Sequence, residues 1–176
     1  MIQFSDLSLM RGSKMLLQDV NATVYPGHKA GLIGANGCGK SSLFALIRGE
    51  LHPEQGNFAI PKDWQIVWVA QETPAVDRCA LDYVIDGDHK FRQLQARLSV
   101  AEEAHNGEQI AVIHGLLEQA GAYDIESRAA TILAGLGFAN DVMQNPVSAF
   151  SGGWRMRLNL AQALLCYSDL LLLDEP

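Results

Sequence analysis

The sequence is poor in cysteine, has no long apolar run and carries no basic excess, and each shortage narrows what the chain can be. Cys38, Cys79 and Cys166, the only cysteines among 176 residues, are too few and too far apart to staple a fold, which points to a reducing, cytoplasmic setting. No stretch approaches the roughly 18 consecutive apolar residues of a membrane-spanning helix. The start, Met1-Ile2-Gln3-Phe4-Ser5-Asp6, has neither the basic opening nor the apolar core of a secretion signal, so no membrane insertion is expected. With 13 basic against 20 acidic residues and a net charge of −7, the surface as a whole is unsuited to neutralising nucleic-acid phosphates, although a local basic patch stays open. Internal repeats and low-complexity tracts are also missing. A hydrophobic fraction of 48% is enough for one sizeable core, and the length is short for two ordinary domains, so a single domain over 1–176 is expected.

The pattern of what remains changes along the chain. Ile2, Phe4, Leu7 and Leu9, then Leu17, Val20, Ala22 and Val24, predict two short strands joined at Arg11-Gly12-Ser13. After a turn at Tyr25-Pro26-Gly27, residues 29–33 read as a buried strand ending at Gly34, and Leu43, Phe44, Leu46 and Ile47 place a helix over 41–48 that stops at Gly49. A turn at Gln55-Gly56 leads into a strand at 58–60, and 65–70 reads as another buried strand ending at Gln71. Helical spacing then takes over, through Leu81, Val84 and Ile85, through Phe91, Leu94 and Leu98, and through Ile110, Ile113, Leu117 and Ala120. With Asn106-Gly107 as the turn, residues 88–121 resemble a helical hairpin set into an α/β design. After Asn145-Pro146 a last helix carries Leu158, Leu160, Ala161 and Leu164, and an apolar strand over 170–173 ends at Asp174-Glu175-Pro176. A core strand stopping on two carboxylates suggests that the sequence is cut from something longer.

Three groups of residues carry chemistry. Gly34-Ala35-Asn36-Gly37-Cys38-Gly39-Lys40-Ser41 fits the eight-residue phosphate-binding pattern, in which bare glycines let backbone amides converge on phosphates. The positive end of the following helix adds to the attraction. Lys40 would reach the β- and γ-phosphates, Ser41 would be a ligand of Mg²⁺, and Ser42 follows in the same turn. An ordinary glycine turn with a solvated lysine is the simpler alternative, but strand before and helix after is the context the motif demands. At the chain's other end, Asp174 would hold Mg²⁺ through water and Glu175 would act as general base on the attacking water. A strand ending in Asp-Glu is common when taken alone; the upstream loop gives the pair its meaning. Ser151-Gly152-Gly153 heads a helix and offers a hydroxyl and unobstructed amides as a second anion site.

Together these residues resemble a family. A phosphate loop, a strand-end glutamine about 30 residues later, Ser-Gly-Gly heading a helix and Leu-Leu-Leu-Leu-Asp-Glu-Pro are similar, in that order, to the nucleotide-binding domain of ATP-binding cassette (ABC) ATPases. Trp154, where transporters usually carry Gln, makes the 150–164 segment resemble the soluble ABC-F class, and most closely the first ATPase domain of its bacterial YheS-type members. The resemblance covers the whole chain. It implies an α/β fold: a P-loop NTPase ABC-type core with an antiparallel β edge and an inserted helical subdomain at about 75–145, incomplete at the C-terminus.

For function, the resemblance implies ATP and Mg²⁺ as ligands. Gln71 would sense the metal and the attacking water, and Ser151 and Gly153 would contact the γ-phosphate of a nucleotide held by a second ABC domain. Arg11 stands where the family stacks an aromatic residue on adenine; a guanidinium plane can do the same, and an exposed turn arginine can equally be solvated. The helical insertion occupies the place of an arm toward the ribosome, with its rRNA and tRNA. Its Lys90, Arg92 and Arg97 are balanced by Asp88, Glu102, Glu103, Glu108 and Glu118, so a plain helical subdomain stands level with RNA contact. Trp64 and Trp68 read as strand packing. The expected function is an ATP-hydrolysing, ribosome-associated translation factor in its full length, inactive as this stretch alone. The rivals are the ATPase subunit of a membrane transporter and a fragment that binds ATP without turnover.

Overall fold

A computed structural model describes residues 1–69 and 75–174. Its described residues form two compact units, one of Met1–Val67 with Ser168–Asp174 and the other of Trp68–Tyr167.

The first unit begins with a long antiparallel hairpin of β1 (Ile2–Arg11) and β2 (Lys14–Val24), with β3 (Gln55–Ala59) on the other side of β1. The weak alternation of the sequence has a structural cause. Asp6 takes φ +48 and interrupts the register of β1 against both neighbours. One extra residue in a strand returns the next side chains to the same face, so Ile2 and Phe4 before the bulge and Leu7 and Leu9 after it are all buried. The Asn21 side chain stabilises the bulge: it accepts from the Asp6 amide at 2.9 Å and donates to the Asp6 carboxylate at 2.8 Å. Gly56 lies within β3, not in a turn ahead of it. Its φ is +79, and a Cβ there would sit 2.2 Å from the Asp6 carbonyl oxygen, an approach that only glycine permits.

Helix α1 (Lys40–Ile47) follows the glycine loop, and β4 (Ile66–Val69) lies beside β5 (Leu170–Leu173) in a second, two-stranded sheet. Ile2, Phe4, Leu7 and Leu9 of β1, Leu46 and Ile47 of α1 and Leu172 of β5 share one buried cluster, which fixes the loop to the sheet. At about 1.5–3 kcal/mol for each fully buried aliphatic or aromatic side chain, this cluster is the main anchor of α1. One expectation fails. Residues 29–33 form no strand: Ile33 is 97% exposed, and among the described residues no strand lies alongside to accept its ladder hydrogen bonds. Apolar composition supplies the propensity for a strand, but pairing decides it.

The second unit is helical: α2 (Ala80–Ile85), α3 (His89–Glu103), α4 (Gly107–Gln119), α5 (Ile125–Gly135) and α6 (Gly152–Leu165) surround a core that includes Val84, Leu94, Ile113, Leu117, Leu133 and Leu158. Side chains set where three of the helices start. Cys79 Sγ, Asp88 and Asn106 accept from the backbone amides of Asp82, Phe91 and Gln109, three residues into α2, α3 and α4. Arg92 reaches back from α3 to Asp86 at 2.7 Å and Asp82 at 3.1 Å, while Arg78 pairs with both carboxylate oxygens of Asp86. Tyr83 donates its hydroxyl to the buried Asn159 at 2.7 Å, and Gln162 donates to the Tyr83 carbonyl, also at 2.7 Å. A side chain at Gly87 would collide with Gln162, so the absence of one lets the end of α2 close on α6.

Candidate functional site

The loop from Gly34 to Gly39 is shaped by glycines at the points where the backbone turns the wrong way for other residues. Gly37 has φ +75 and Gly39, the residue that caps α1, has φ +110. A Cβ on Gly39 would stand 3.0 Å from that of Leu16 in β2, so the loop also packs down on the hairpin. The Cys38 amide donates to the Ala35 carbonyl at 3.2 Å, and Cys38 Sγ turns back to within 2.6 Å of where a Cβ on Gly34 would be. The loop thus closes on itself around bare backbone at Ala35, Asn36 and Gly37, all exposed.

Two cations serve this loop. Lys40, the first residue of α1, folds its ammonium over the loop to donate to the Gly34 carbonyl at 2.9 Å and the Ala35 carbonyl at 3.3 Å. Lys14, from the start of β2, donates to the Gly37 carbonyl at 3.5 Å. The second was not legible in the sequence, since it is 23 residues away and reaches the loop only through the register of the hairpin. The same register pairs Lys14 with Arg11, which places the exposed Arg11 at the turn end of the hairpin, next to a residue that touches the loop. Ser41 is exposed, while Ser42 is buried on the inner side of α1. Glycine amides, two ammonium groups and a helix start make an electropositive loop suited to a polyphosphate.

The carboxylate end stands in the same unit. Asp174 is half-buried, directly after β5, whose Leu172 shares the core of Leu46 and Ile47 from α1. Strand β5 is also tied to the segment before β4: the Gln65 amide donates to the Asp169 carboxylate at 2.8 Å and the Asp169 amide to the Gln65 carbonyl at 2.9 Å. The Ser41 hydroxyl and the Asp174 carboxylate are hard oxygen donors of the kind Mg²⁺ prefers, to be completed by phosphate oxygens and water. Gln71 and Glu175 lie outside the described residues.

Ser151, Gly152 and Gly153 belong to the helical unit. Ser151 caps α6 with extended backbone and makes no side-chain cap bond, and all three residues are exposed, which leaves the hydroxyl and the first amides of α6 turned outward.

A family model described as ABC transporter matches residues 17–176. The chain is 59% identical over 176 residues to the protein named "Probable ATP-binding protein YheS" of Haemophilus influenzae, covering all of this chain and 28% of that one. It is 35% identical over 183 residues to "ATP-binding cassette sub-family F member 3" of Mus musculus, covering 99% of this chain and 25% of that one. The chain therefore spans about a quarter of the length of these curated relatives. In fold it is similar to a solved ATP-binding subunit of an ABC transporter, with a TM-score of 0.69 at 20% identity over 99% of this chain and 66% of that one.

Proposed function

Because the chain belongs to the ATP-binding cassette family, as a first nucleotide-binding domain of the ABC-F type, we propose that it takes up MgATP at the 34–41 loop and, in the longer protein, hydrolyses it against a second ABC domain on translating ribosomes. The observation that carries this reading is the loop, with Gly37 and Gly39 at positive φ and Lys40 Nζ 2.9 Å from the Gly34 carbonyl.

On nucleotide binding, Lys40 exchanges its loop carbonyls for the β- and γ-phosphate oxygens, and the amides of residues 35–41 supply further donors. Ser41 and Asp174 would hold Mg²⁺, which would supply charge neutralisation at the terminal phosphate. Glu175 takes the proton of the attacking water and Gln71 orients that water, so catalysis comes from positioning and electrostatics. Ser151, Gly152 and Gly153 meet the γ-phosphate of the nucleotide held by the second domain. Arg11 lies flat on adenine, a role supported by its place at the end of the hairpin whose Lys14 touches Gly37. The ribosome as partner is supported by the resemblance to the ABC-F class and by the pair α3 and α4, which stands where that class carries its arm. Trp154, in place of glutamine, weighs against a transporter subunit.

The test is Glu175→Gln in the full-length protein. The ATPase rate should fall by roughly 100-fold or more, the usual size of a lost general base, and the ATP-loaded protein should sediment with ribosomes. An unchanged rate removes Glu175 as base. Sedimentation with membranes in place of ribosomes moves the protein to the transport class.

A further inference from the structure

Helix α6 starts with little of its own to hold its first turn. Gly152 and Gly153 open it, each a poorer helix former than any residue but proline. Ser151 makes no side-chain cap bond, and no acidic residue stands in the first turn to balance the helix dipole. Support comes from the side, within the helical unit. The Trp154 indole meets Phe138 edge-on, with ring centroids 4.7 Å apart at 74°, and Phe138 meets Phe150 in the same manner at 5.5 Å. One turn along α6, the Arg157 guanidinium lies over the Trp154 ring, 4.7 Å from its centroid, and donates to the Leu136 carbonyl at 3.3 Å. Leu136 caps the C-terminus of α5, where unpaired carbonyls favour a cation. Gly137, at φ +93, lets the chain after α5 turn tightly beneath this pair.

Trp154 is 37% exposed, too open to serve as ordinary core. Its ring is a wedge between the Leu136 to Phe138 turn and the guanidinium of its own helix. A cation over an aromatic face and an edge-to-face ring pair both stabilise the turn, offsetting the weakness that the two glycines introduce.

We propose that Trp154 and Arg157 are positioning residues for the 151–153 turn: the stack of Phe138, Trp154 and Arg157 sets the angle at which the Ser151 hydroxyl and the Gly152 and Gly153 amides meet the terminal phosphate of the second domain's nucleotide. This deepens the proposed function and rests on its assignment of that turn. The clamp acts on the turn and not on the Lys40 loop, so its loss slows turnover and leaves nucleotide capture intact.

The experiment uses the full-length protein with Trp154→Ala, Trp154→Phe, Arg157→Ala and, as reference, Gly153→Asp. For each, kcat and KM for ATP are measured beside the affinity for a fluorescent ATP analogue, with circular dichroism to establish folding. Trp154→Ala should lower kcat by about tenfold and Arg157→Ala by about threefold, the kinetic equivalents of the contacts removed. Analogue affinity should stay within about twofold of wild type, and Trp154→Phe, which keeps both an edge and a face, should return kcat to within about threefold. Should Trp154→Ala fail to fold, Arg157→Ala and Trp154→Phe decide. A silent Gly153→Asp removes the reading of the turn on which the proposal rests. Gly153→Asp inactive with both alanine variants at wild-type kcat, or Trp154→Phe as slow as Trp154→Ala, overturns the clamp alone.

Discussion

Lys40 donates to two carbonyls of the loop it belongs to, so Lys40→Ala removes a charge and two surface hydrogen bonds but no core volume. MgATP affinity in calorimetry should fall by roughly 100-fold or more, matching the loss of a charge-assisted contact of about 3 kcal/mol, with a melting curve close to wild type. Retained affinity would contradict the loop assignment. The cysteines give a second check. Cys38 is exposed and turned toward Gly34, whereas Cys166 is half-buried at the C-terminal cap of α6; burial, with a smaller contribution from Asp88 and against the pull of Arg128, pushes its thiol up. Maleimide should therefore label Cys38 first and Cys166 last, and MgATP should slow labelling at Cys38 alone. Equal protection of all three would mean that nucleotide acts on the fold and not on the loop. The loop could be located in the sequence because its glycines record a backbone need. Lys14 could not, because it reaches the loop from the turn end of a hairpin 23 residues earlier, and local spacing does not show which distant segment a turn meets.

Helices were the most legible elements, since apolar residues three and four apart identify a buried face whatever it packs against. Helix α1 and the hairpin of α3 and α4 stand within a few residues of their expected positions. Strands were less so: 29–33 has the composition of a buried strand and no partner, and Gly56 reads as a turn while serving a close crossing of β1 and β3. The ion pairs between α2 and α3 were invisible to periodicity because they depend on how the helices turn relative to one another. They make the helical unit sensitive to acid. Burial alone would raise the Asp82 carboxyl, but the Arg92 hydrogen bond, Cys79 and the charges of Arg92 and Arg78 outweigh it and hold the group below its ordinary 3.8. A lowered folded value means that the stabilisation is present above 3.8 and is lost as pH falls through the folded value. Asp82→Asn should lower the melting temperature at pH 7, and the gap from wild type should close as the pH is taken below 3.8. A gap that stays constant with pH would show that Asp82 contributes no charge to stability. The pair is too exposed for a large effect.

At the scale of the whole chain, the resemblance was legible because its three motifs are local and come in a fixed order. Which distant segments meet to assemble the unit that carries the loop was not. One unit is continuous from Trp68 to Tyr167, while the other is assembled from Met1–Val67 and Ser168–Asp174. Its two pieces are joined by the hydrogen bonds between Gln65 and Asp169, 104 positions apart. Closing a loop of that length costs about 4 kcal/mol of chain entropy beyond the constant term, and contacts so distant in sequence form late. The helices, whose contacts are mostly nearer in sequence, pay less. Amides of α3 and α4 should gain protection in pulsed hydrogen exchange during refolding before those of Gln65 and Asp169. Simultaneous protection would mean that the two units fold as one. On a translating ribosome the order is imposed by synthesis as well: the helical unit is complete before Leu172, the residue that closes the core beneath α1, has been added. The Lys40 loop, made early, gains the support of Leu172 only after the helical unit has been synthesised, so a nascent chain has the whole helical unit before the core beneath its phosphate loop is closed.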